Sequence, residues 1–340
     1  MKKAEAVIGN KSIKVYRKSN CPLNRLPPLV LLSSSRRAIE NLALEETLLR
    51  RLPNGGERVL LLYENNPAVI VGRFQNPWME CSTGRAGQAG IPILRRFSGG
   101  GTVVHAPGNL NWCFIAPEAV SEKHETCQRM VKALESLGIF STVNNKNDLL
   151  LEFDGSYRKI SGSAYRQIAG GALHHGTLLV KADLELIRQL LNGPARRIIG
   201  KGVRSVPSPI ANLSGYIPSL GTAETADAIV REWGGELRPI APEKYQDDPV
   251  YMEALNRLGS EEWIWGKTPV FSEQLNLPGG TVMECEVQQG CIRHACLNGI
   301  PQPLLSGCRY RKEDILAALA AADLPWLADF ADLVDGRTKK

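Results

Sequence analysis

Apolar residues recur along this chain with two different periods. In SSSRRAIENLALEETLLRRL, residues 33–52, Ile39, Leu42, Leu48 and Leu49 fall near one face at helical spacing. Glu45 and Glu46 fall away from them and are expected to point into solvent. The serines ahead of the run are candidate N-caps, and Arg50 and Arg51 suit the negative end of the helix dipole. RVLLLYENNPAVIVGRFQN carries two continuous apolar runs, residues 58–63 and 68–72, around an Asn-Asn-Pro turn, which predicts two buried strands. ETCQRMVKALESLG returns to the helical period: Cys127, Met130, Val131, Leu134 and Leu137 share a face, and Gly138 stands where a helix would end. DLLLEFDGSYRKISGSAYR reads as a hairpin turning at Asp154-Gly155. HHGTLLV reads as a strand, and ADLELIRQLL and TAETADAIVREWGG as helices.

The pattern breaks in LRPIAPEKYQDDPV, residues 237–250, a polar stretch with three prolines. Beyond it YMEALNRLG is helical, TVMECEV and CIRHACL flank QQG as a hairpin, and RKEDILAALAAA is a helix. The expectation is a larger unit of roughly 240 residues followed by an appendage of roughly 90. No internal repeat or low-complexity tract is visible.

Composition narrows the class. The 340 residues are 43% hydrophobic and 22% charged, ordinary for a globular protein. No apolar run approaches the ~18–20 residues of a membrane span; LPPLVLL, residues 26–32, is short and proline-broken. The first 28 residues carry seven Lys/Arg against Glu5, without the apolar core and cleavage site of a secretory signal. IKVYR alternates like a strand, so a folded, cytoplasmic N-terminus is expected, with a mitochondrial presequence as the alternative. A net charge of +6 suits an acidic partner or an anionic substrate, or is simply a solvated surface. No basic run with interleaved aromatics appears and aromatic content is 6%, which argues against nucleic-acid binding. None of the eight cysteines forms C-x-x-C, and the five histidines complete no zinc pattern.

The chemistry gathers in a few polar stretches. RRFSGGGTVVHAPGNLN, residues 95–111, brings the backbone close to an anion, because glycine lacks a Cβ. It is neither a Walker loop nor the dinucleotide fingerprint; a simple turn is the plain alternative. If Arg95 and Arg96 continue the strand IPILRR, one faces a pocket and the other faces away. Lys159 precedes ISGSA, small residues that leave room for a ligand, and an ammonium there can stabilise a phosphate or carboxylate. It can equally be a solvated lysine at a strand start. Asn147 and Asp148 can hold a magnesium ion or an adenosine edge, or form a turn. His174 and His175, adjacent on a strand, must face opposite ways, so one of them is structural.

VGRFQNPW, RRFSGGGTVVH…GNLN, KND, RKISGSAYR and HHGTLL, in this order and at these spacings, resemble the lipoate–protein ligase A family. The likeness continues through KGVRSV to residue 213 and through EEWIWGKTPVFSE into the appendage, covering residues 36–320. It implies an α/β (α+β) chain: an N-terminal extension (1–28), a mixed-sheet catalytic domain like that of biotin ligases (29–240), a linker (241–250) and a small α+β accessory domain (251–340). It implies ATP-dependent attachment of lipoate to a carrier lysine through lipoyl-AMP, with ATP and Mg2+ as cofactors.

By the same resemblance Lys159 is catalytic, meeting the lipoate carboxylate and the α-phosphate. Arg96, Gly101, Thr102, Val103, Val104, Asn147 and Asp148 join Lys159 around ATP or AMP, with Asp148 near the metal. Arg96, Ser98, Gly99, Gly100, Ala164, Arg166 and His175 join Lys159 around lipoate. The implied partner is an acidic lipoyl carrier domain: a 2-oxoacid dehydrogenase acyltransferase subunit, the glycine-cleavage H protein or a specialised lipoate-binding protein. Neither nucleic acid nor membrane is implied, and the compartment is the cytoplasm, or the mitochondrion in a eukaryote. Ala106 departs from the family's Asp after the motif histidine. The Pro-Gly after it resembles octanoyltransferases, but no cysteine lies between Cys127 and Cys285 to serve as their nucleophile. The GRGRxGR pattern of biotin ligases is absent. Two alternatives share the motifs: a lipoyltransferase that does not make the adenylate, and a non-catalytic carrier-docking protein.

Overall fold

The structure, a computed structural model, describes residues 5–7, 12–14, 27–52, 57–117, 123–191, 197–321 and 328–335. Strands β1 (Glu5–Val7) and β2 (Ser12–Lys14) pair antiparallel. The rest of the expected IKVYR strand and most of the N-terminal extension lie outside the described residues. The first long run builds β3 (Leu29–Ser33), α1 (Ala38–Arg51), β4 (Val59–Tyr63) and β5 (Ala68–Val71). Two short helices follow, α2 (Pro77–Glu80) and α3 (Thr83–Gln88), then β6 (Ile93–Arg95), β7 (Val103–His105) and β8 (Asn109–Ala116). Next come α4 (Lys123–Glu135), β9 (Ser141–Val143), β10 (Leu149–Phe153), β11 (Ser156–Ile168), β12 (Gly171–Leu179), α5 (Leu184–Leu191), β13 (Arg197–Gly200), α6 (Thr222–Trp233) and β14 (Leu237–Ile240).

Eight of these strands form one mixed sheet in the order β14-β3-β4-β8-β12-β11-β10-β9. Both faces are covered, which is why its central strands read as continuous apolar runs. Leu60, Leu62, Leu110, Trp112 and Phe114 point towards α4 and α6, meeting Met130, Leu134 and Trp233. Leu61, Tyr63, Cys113, Ile115 and Leu173 point the other way, towards Leu42 and Leu49 of α1. The β10–β11 hairpin turns at Asp154 (φ 48°) and Gly155 (φ 75°), as two left-handed turn residues require. A separate three-stranded sheet, β6-β5-β7, carries the glycine-rich loop between β6 and β7.

The polar stretch 241–250 runs from β14 into a helix that still packs on the larger unit. β14 joins the main sheet, parallel to β3. Helix α7 (Pro249–Leu258) lies on α1, with Tyr251, Ala254 and Leu258 in the same core. Arg51 pairs with Asp248 at 2.6 Å, and Arg50 with Glu253 at 2.9 Å. The prolines there serve a short turn and a helix N-terminus, positions that need no N–H donor.

Strands β15 (Phe271–Asn276), β16 (Val282–Gln288), β17 (Cys291–Leu297) and β18 (Ile300–Pro301) form a second antiparallel sheet, packed by α8 (Lys312–Ala321) and α9 (Ala328–Val334). Its outer strand is β13, contributed from before α6. Trp78 of α2 also enters this core, its ring 5.4 Å from Phe271 and 5.5 Å from Tyr310. Among the described residues no helix is long and apolar enough to cross a membrane.

Candidate active site

Arg95 and Arg96 leave the end of β6 in opposite directions. Arg95 is fully buried and donates to the carbonyls of Gly72, Arg73 and Gln75 on one side. On the other it reaches the carbonyls of Trp263 and Ile264 and the Thr268 hydroxyl. It clamps the GRFQN loop to the turn at Glu262–Gly266. Arg96 turns inward and holds the loop's own shape, donating to Ile70 O at 3.1 Å, Gly101 O at 2.7 Å and Ser98 Oγ at 3.1 Å. Burial brings both guanidinium groups down to about 10, so both remain charged at neutral pH. Gly100 has φ 83°, and a Cβ on it would lie 2.9 Å from Arg96 Nη2 and 3.2 Å from Ala164 Cβ. The loop can fold against β11 only with glycine there.

The histidines separate as expected. His174 faces the core, edge-on to Trp112, with Nε2 2.9 Å from Ser163 Oγ. Burial, reinforced by nearby positive charge, lowers it to about 3 and keeps the ring neutral. His175 faces the other way: Nε2 lies 2.6 Å from Ser98 Oγ and Nδ1 lies 2.7 Å from Glu45 Oε2. Glu45 is buried, as is Glu46, which contradicts the expectation that both point into solvent. Their charge argues for solvent, but both stand at i+3 or i+4 to Leu42 on the buried face, and each carboxylate finds donors that make its burial tolerable. Glu45 accepts from Tyr63 OH at 2.9 Å as well as from His175; Glu46 pairs with Arg257 and Arg50. The Cys113 thiol also lies within 4.8 Å of the Glu45 and His175 ligand atoms. Burial first, then Glu45, pushes that thiol well above its ordinary value, so it is no thiolate nucleophile.

Lys159 stands in β11, its ammonium 2.8 Å from Asp148 Oδ1. It lies over Gly162, where a Cβ would come within 2.8 Å of Nζ. Asp148 is delivered by a turn in which Asn144 Oδ1 accepts from the Asp148 and Lys146 amides, each at 2.9 Å, and Asn147 sits at φ 62°. The backbone of Lys159 pairs with residues 209–211: its N–H donates to Pro209 O at 2.8 Å, and its carbonyl accepts from Ala211 N at 3.1 Å. Those residues end a strap, residues 201–210, that crosses the site. Ser205 pins the strap. Its Oγ accepts from the Thr102 amide and from Gln75 Nε2, both at 3.0 Å, and donates to the Glu80 carboxylate. Gln75, fully buried, also accepts from Thr102 Oγ1 and the Gly72 amide.

Two cavities meet here. The larger, about 670 Å3, has apolar walls from Val104, Ile160, Leu179, Ile187 and Leu191, with Trp78 and Ile198 from the second core. The smaller, about 320 Å3, is lined by Arg96, Gly100, Gly101, Asp148, Ala164 and His175, with Leu42, Tyr63 and Ile70. Lys159, Thr102, Val103 and the strap residues Arg204, Ser205, Val206 and Ser208 line both.

Four residues expected around the ligands line neither: Ser98, Gly99, Asn147 and Arg166. Ser98 and Gly99 act through Arg96 and His175, and Asn147 shapes the turn and accepts from Ser163 Oγ through its carbonyl. Arg166 lies over the Phe97 ring at 4.6 Å instead. Ala106 also lines neither cavity, so its departure from the family motif falls outside them. The residues the sequence reading missed are Glu45, Tyr63, Gln75, Glu80 and Ser205. Gln75 and Ser205 sit inside VGRFQNPW and KGVRSV, stretches whose likeness assigns them no task, and Glu80 lies two residues beyond the first.

Residues 37–234 match the lipoyl protein ligase A/B catalytic-domain family. Among solved structures the chain is similar to P. falciparum LipL1 in complex with lipoate, at 22% identity and a TM-score of 0.60, over 89% of this chain and 98% of that one. It is similar to the bi-partite lipoate protein ligase of Thermoplasma acidophilum, studied with its E2 lipoyl domain, at 22% identity and TM-score 0.59, over 71% and 96%. It is similar too to lipoate-protein ligase A bound with ATP, at 23% identity and TM-score 0.57, over 70% and 98%. At these identities the likeness shows a shared fold.

Proposed function

The chain belongs to the lipoyl protein ligase A/B catalytic-domain family, and from that premise we propose that it joins lipoate to a lysine of a lipoyl carrier domain through lipoyl-AMP. The observation that carries this reading is Lys159, whose ammonium stands where two cavities meet. The smaller cavity takes the acyl chain, with Leu42, Tyr63 and Ile70 at its apolar end and Arg96 behind the glycines. The larger takes the nucleotide, with Val103 and Val104 along it. Relatives of the same fold were solved with lipoate and with ATP, which supports a protein that takes both ligands.

In the first step a lipoate carboxylate oxygen attacks the α-phosphorus of ATP, and the bond to pyrophosphate breaks. Two anions must approach, and Lys159 offsets their repulsion. In the second step the neutral amine of the carrier lysine attacks the acyl carbon, the bond to AMP breaks, and the amine loses a proton. The charge leaving on AMP gathers beside the same ammonium. Magnesium binds with one or two carboxylates plus substrate phosphates; Asp148, a single carboxylate on the smaller cavity's wall, fits that donor set. Asp148 would hold such an ion, whose chemistry would be to neutralise phosphate charge. The carrier follows from the archaeal relative studied with its E2 lipoyl domain.

The test incubates the protein with MgATP, lipoate and an apo lipoyl domain, and follows lipoate-dependent ATP–pyrophosphate exchange in parallel. Both reactions are expected, and Lys159→Ala should slow each by about a hundred- to a thousandfold. Modification supported only by synthetic lipoyl-AMP or a lipoylated donor would replace ligation with lipoyl transfer. Lipoyl-AMP binding without any turnover would leave a carrier-docking protein.

A further inference from the structure

The segments around the mouth of the two cavities are 72–76, 95–102, 144–148, 157–166 and 197–210. Their one acidic residue is Asp148, which is buried against Lys159. Their cations include Lys146, Arg158, Lys201 and Arg204, all exposed, and Arg73 and Arg166, half-buried. Lys201 makes no ion pair among the described residues. Acid does approach from neighbouring elements: Glu80 is buried under Ser205, Glu46 is taken by Arg257 and Arg50, the exposed Glu185 of α5 pairs with Arg188, and Glu152 of β10 is exposed opposite Tyr157.

The same rim is apolar where it is exposed. Ile199 is 78% exposed, Val206 66%, Val203 55% and Phe74 53%. Phe74 and Val203 adjoin: the Val203 amide donates to Phe74 O at 3.2 Å, and the Arg73 guanidinium lies 5.4 Å over the Phe74 ring. Large apolar side chains are normally exposed singly; here Phe74, Val203 and Val206 stand at the mouth, interleaved with cations, and Ile199 lies on the strand that leads into the strap.

We propose that this rim is the docking face for the acceptor, and that the acceptor is a folded domain presenting its lysine from a surface of acidic and small apolar residues. The inference rests on the ligation reading above, since a lysine must reach the acyl carbon beside Lys159 from this side. A face whose own segments carry cations and no outward acid favours an anionic partner and speeds encounter, while the apolar residues supply contact area once water is expelled.

The test uses the full-length protein and a purified apo lipoyl domain. Lys201→Glu, Ile199→Ser and Phe74→Ala line neither cavity and should leave lipoate-dependent pyrophosphate exchange at wild-type rates. Together they should raise KM for the lipoyl domain by about tenfold or more, with kcat little changed. Replacing an acidic residue beside the target lysine of the lipoyl domain by lysine should recover part of the loss in Lys201→Glu and hurt the wild type. Normal exchange with an unchanged KM for the lipoyl domain overturns the docking face. If the same substitutions instead split a dimer in sedimentation and leave KM alone, the face binds a second copy of this chain, and the proposal fails. A wild-type protein that exchanges pyrophosphate but modifies no lipoyl domain overturns the carrier reading, and this inference with it.

Discussion

Glu45 shows why single residues near this site resist a reading by charge. Three residues after Leu42 and four before Leu49, it shares the buried face of α1, and β12 delivers His175 and β4 delivers Tyr63 to it from the sheet above. A carboxylate hydrogen-bonded to an imidazole and a phenol tolerates burial, but both donors are remote in sequence. The other two buried imidazoles have no such carboxylate. His105 takes a hydrogen bond from Asn65 at Nδ1, 2.8 Å away, and burial first, then nearby positive charge, lowers it to about 3. His174 is also held at about 3. Between pH ~3 and ~6.5 the unfolded chain therefore binds protons that the folded chain refuses, and stability falls as pH drops through that window. Each histidine should cost up to about 2 kcal/mol between pH 7 and pH 5. Urea unfolding at the two pH values measures this. His174→Gln should lose markedly less stability than the wild type on acidification; equal losses would assign the acid sensitivity to other groups.

At the scale of elements the strap is held by few bonds, and Ser205 makes most of them. It joins the Thr102 amide, Gln75 and Glu80, and so ties residues 201–210 to the glycine loop and to α2. Ser205→Ala removes a hydrogen bond to a carboxylate, typically about 1.5–3 kcal/mol. In the ligand-free protein it should speed tryptic cleavage after Lys201 and Arg204 by roughly tenfold or more, a factor that follows from this range. Cleavage at the wild-type rate would mean that the bonds at Lys159 and Val203 hold the strap without Ser205. Regular elements were far more legible in the sequence than this coil. The hairpin at Asp154-Gly155, the helix ending at Gly138 and the opposed histidines all follow from local chemistry, and the structure has each of them. The strap has no period, and the partners of Ser205 lie more than a hundred residues away, so only resemblance marked it. The stretch 241–250 has the prolines and charges of a linker, and sequence alone does not show that Asp248 ties its end to α1 through Arg51.

At the scale of the whole molecule, the second sheet is part of the larger cavity's wall. β13 leaves the main body, becomes the outer strand of that sheet, and runs directly into the strap. Trp78 and Ile198 belong to the second core and also line the larger cavity. The smaller cavity draws no lining from this core. Loosening the second core should therefore reach one substrate more than the other. Phe271 is the place to test this, because its buried ring lies 5.4 Å from Trp78 and it pairs with Gly200 of β13. Phe271→Ala should cost about 3–5 kcal/mol of stability, the usual range for emptying a buried phenyl site. Below the variant's unfolding temperature, KM for ATP in pyrophosphate exchange should rise several-fold while KM for lipoate moves little. The mechanism is mechanical: a cavity beside Trp78 lets the wall of the larger chamber relax, and the strap loses the firm strand from which it starts. Equal rises in both KM values would mean that the substitution acts by general destabilisation. A rise for lipoate alone would reverse the assignment of the two cavities, since only the larger one shares Trp78 and Ile198 with the second core.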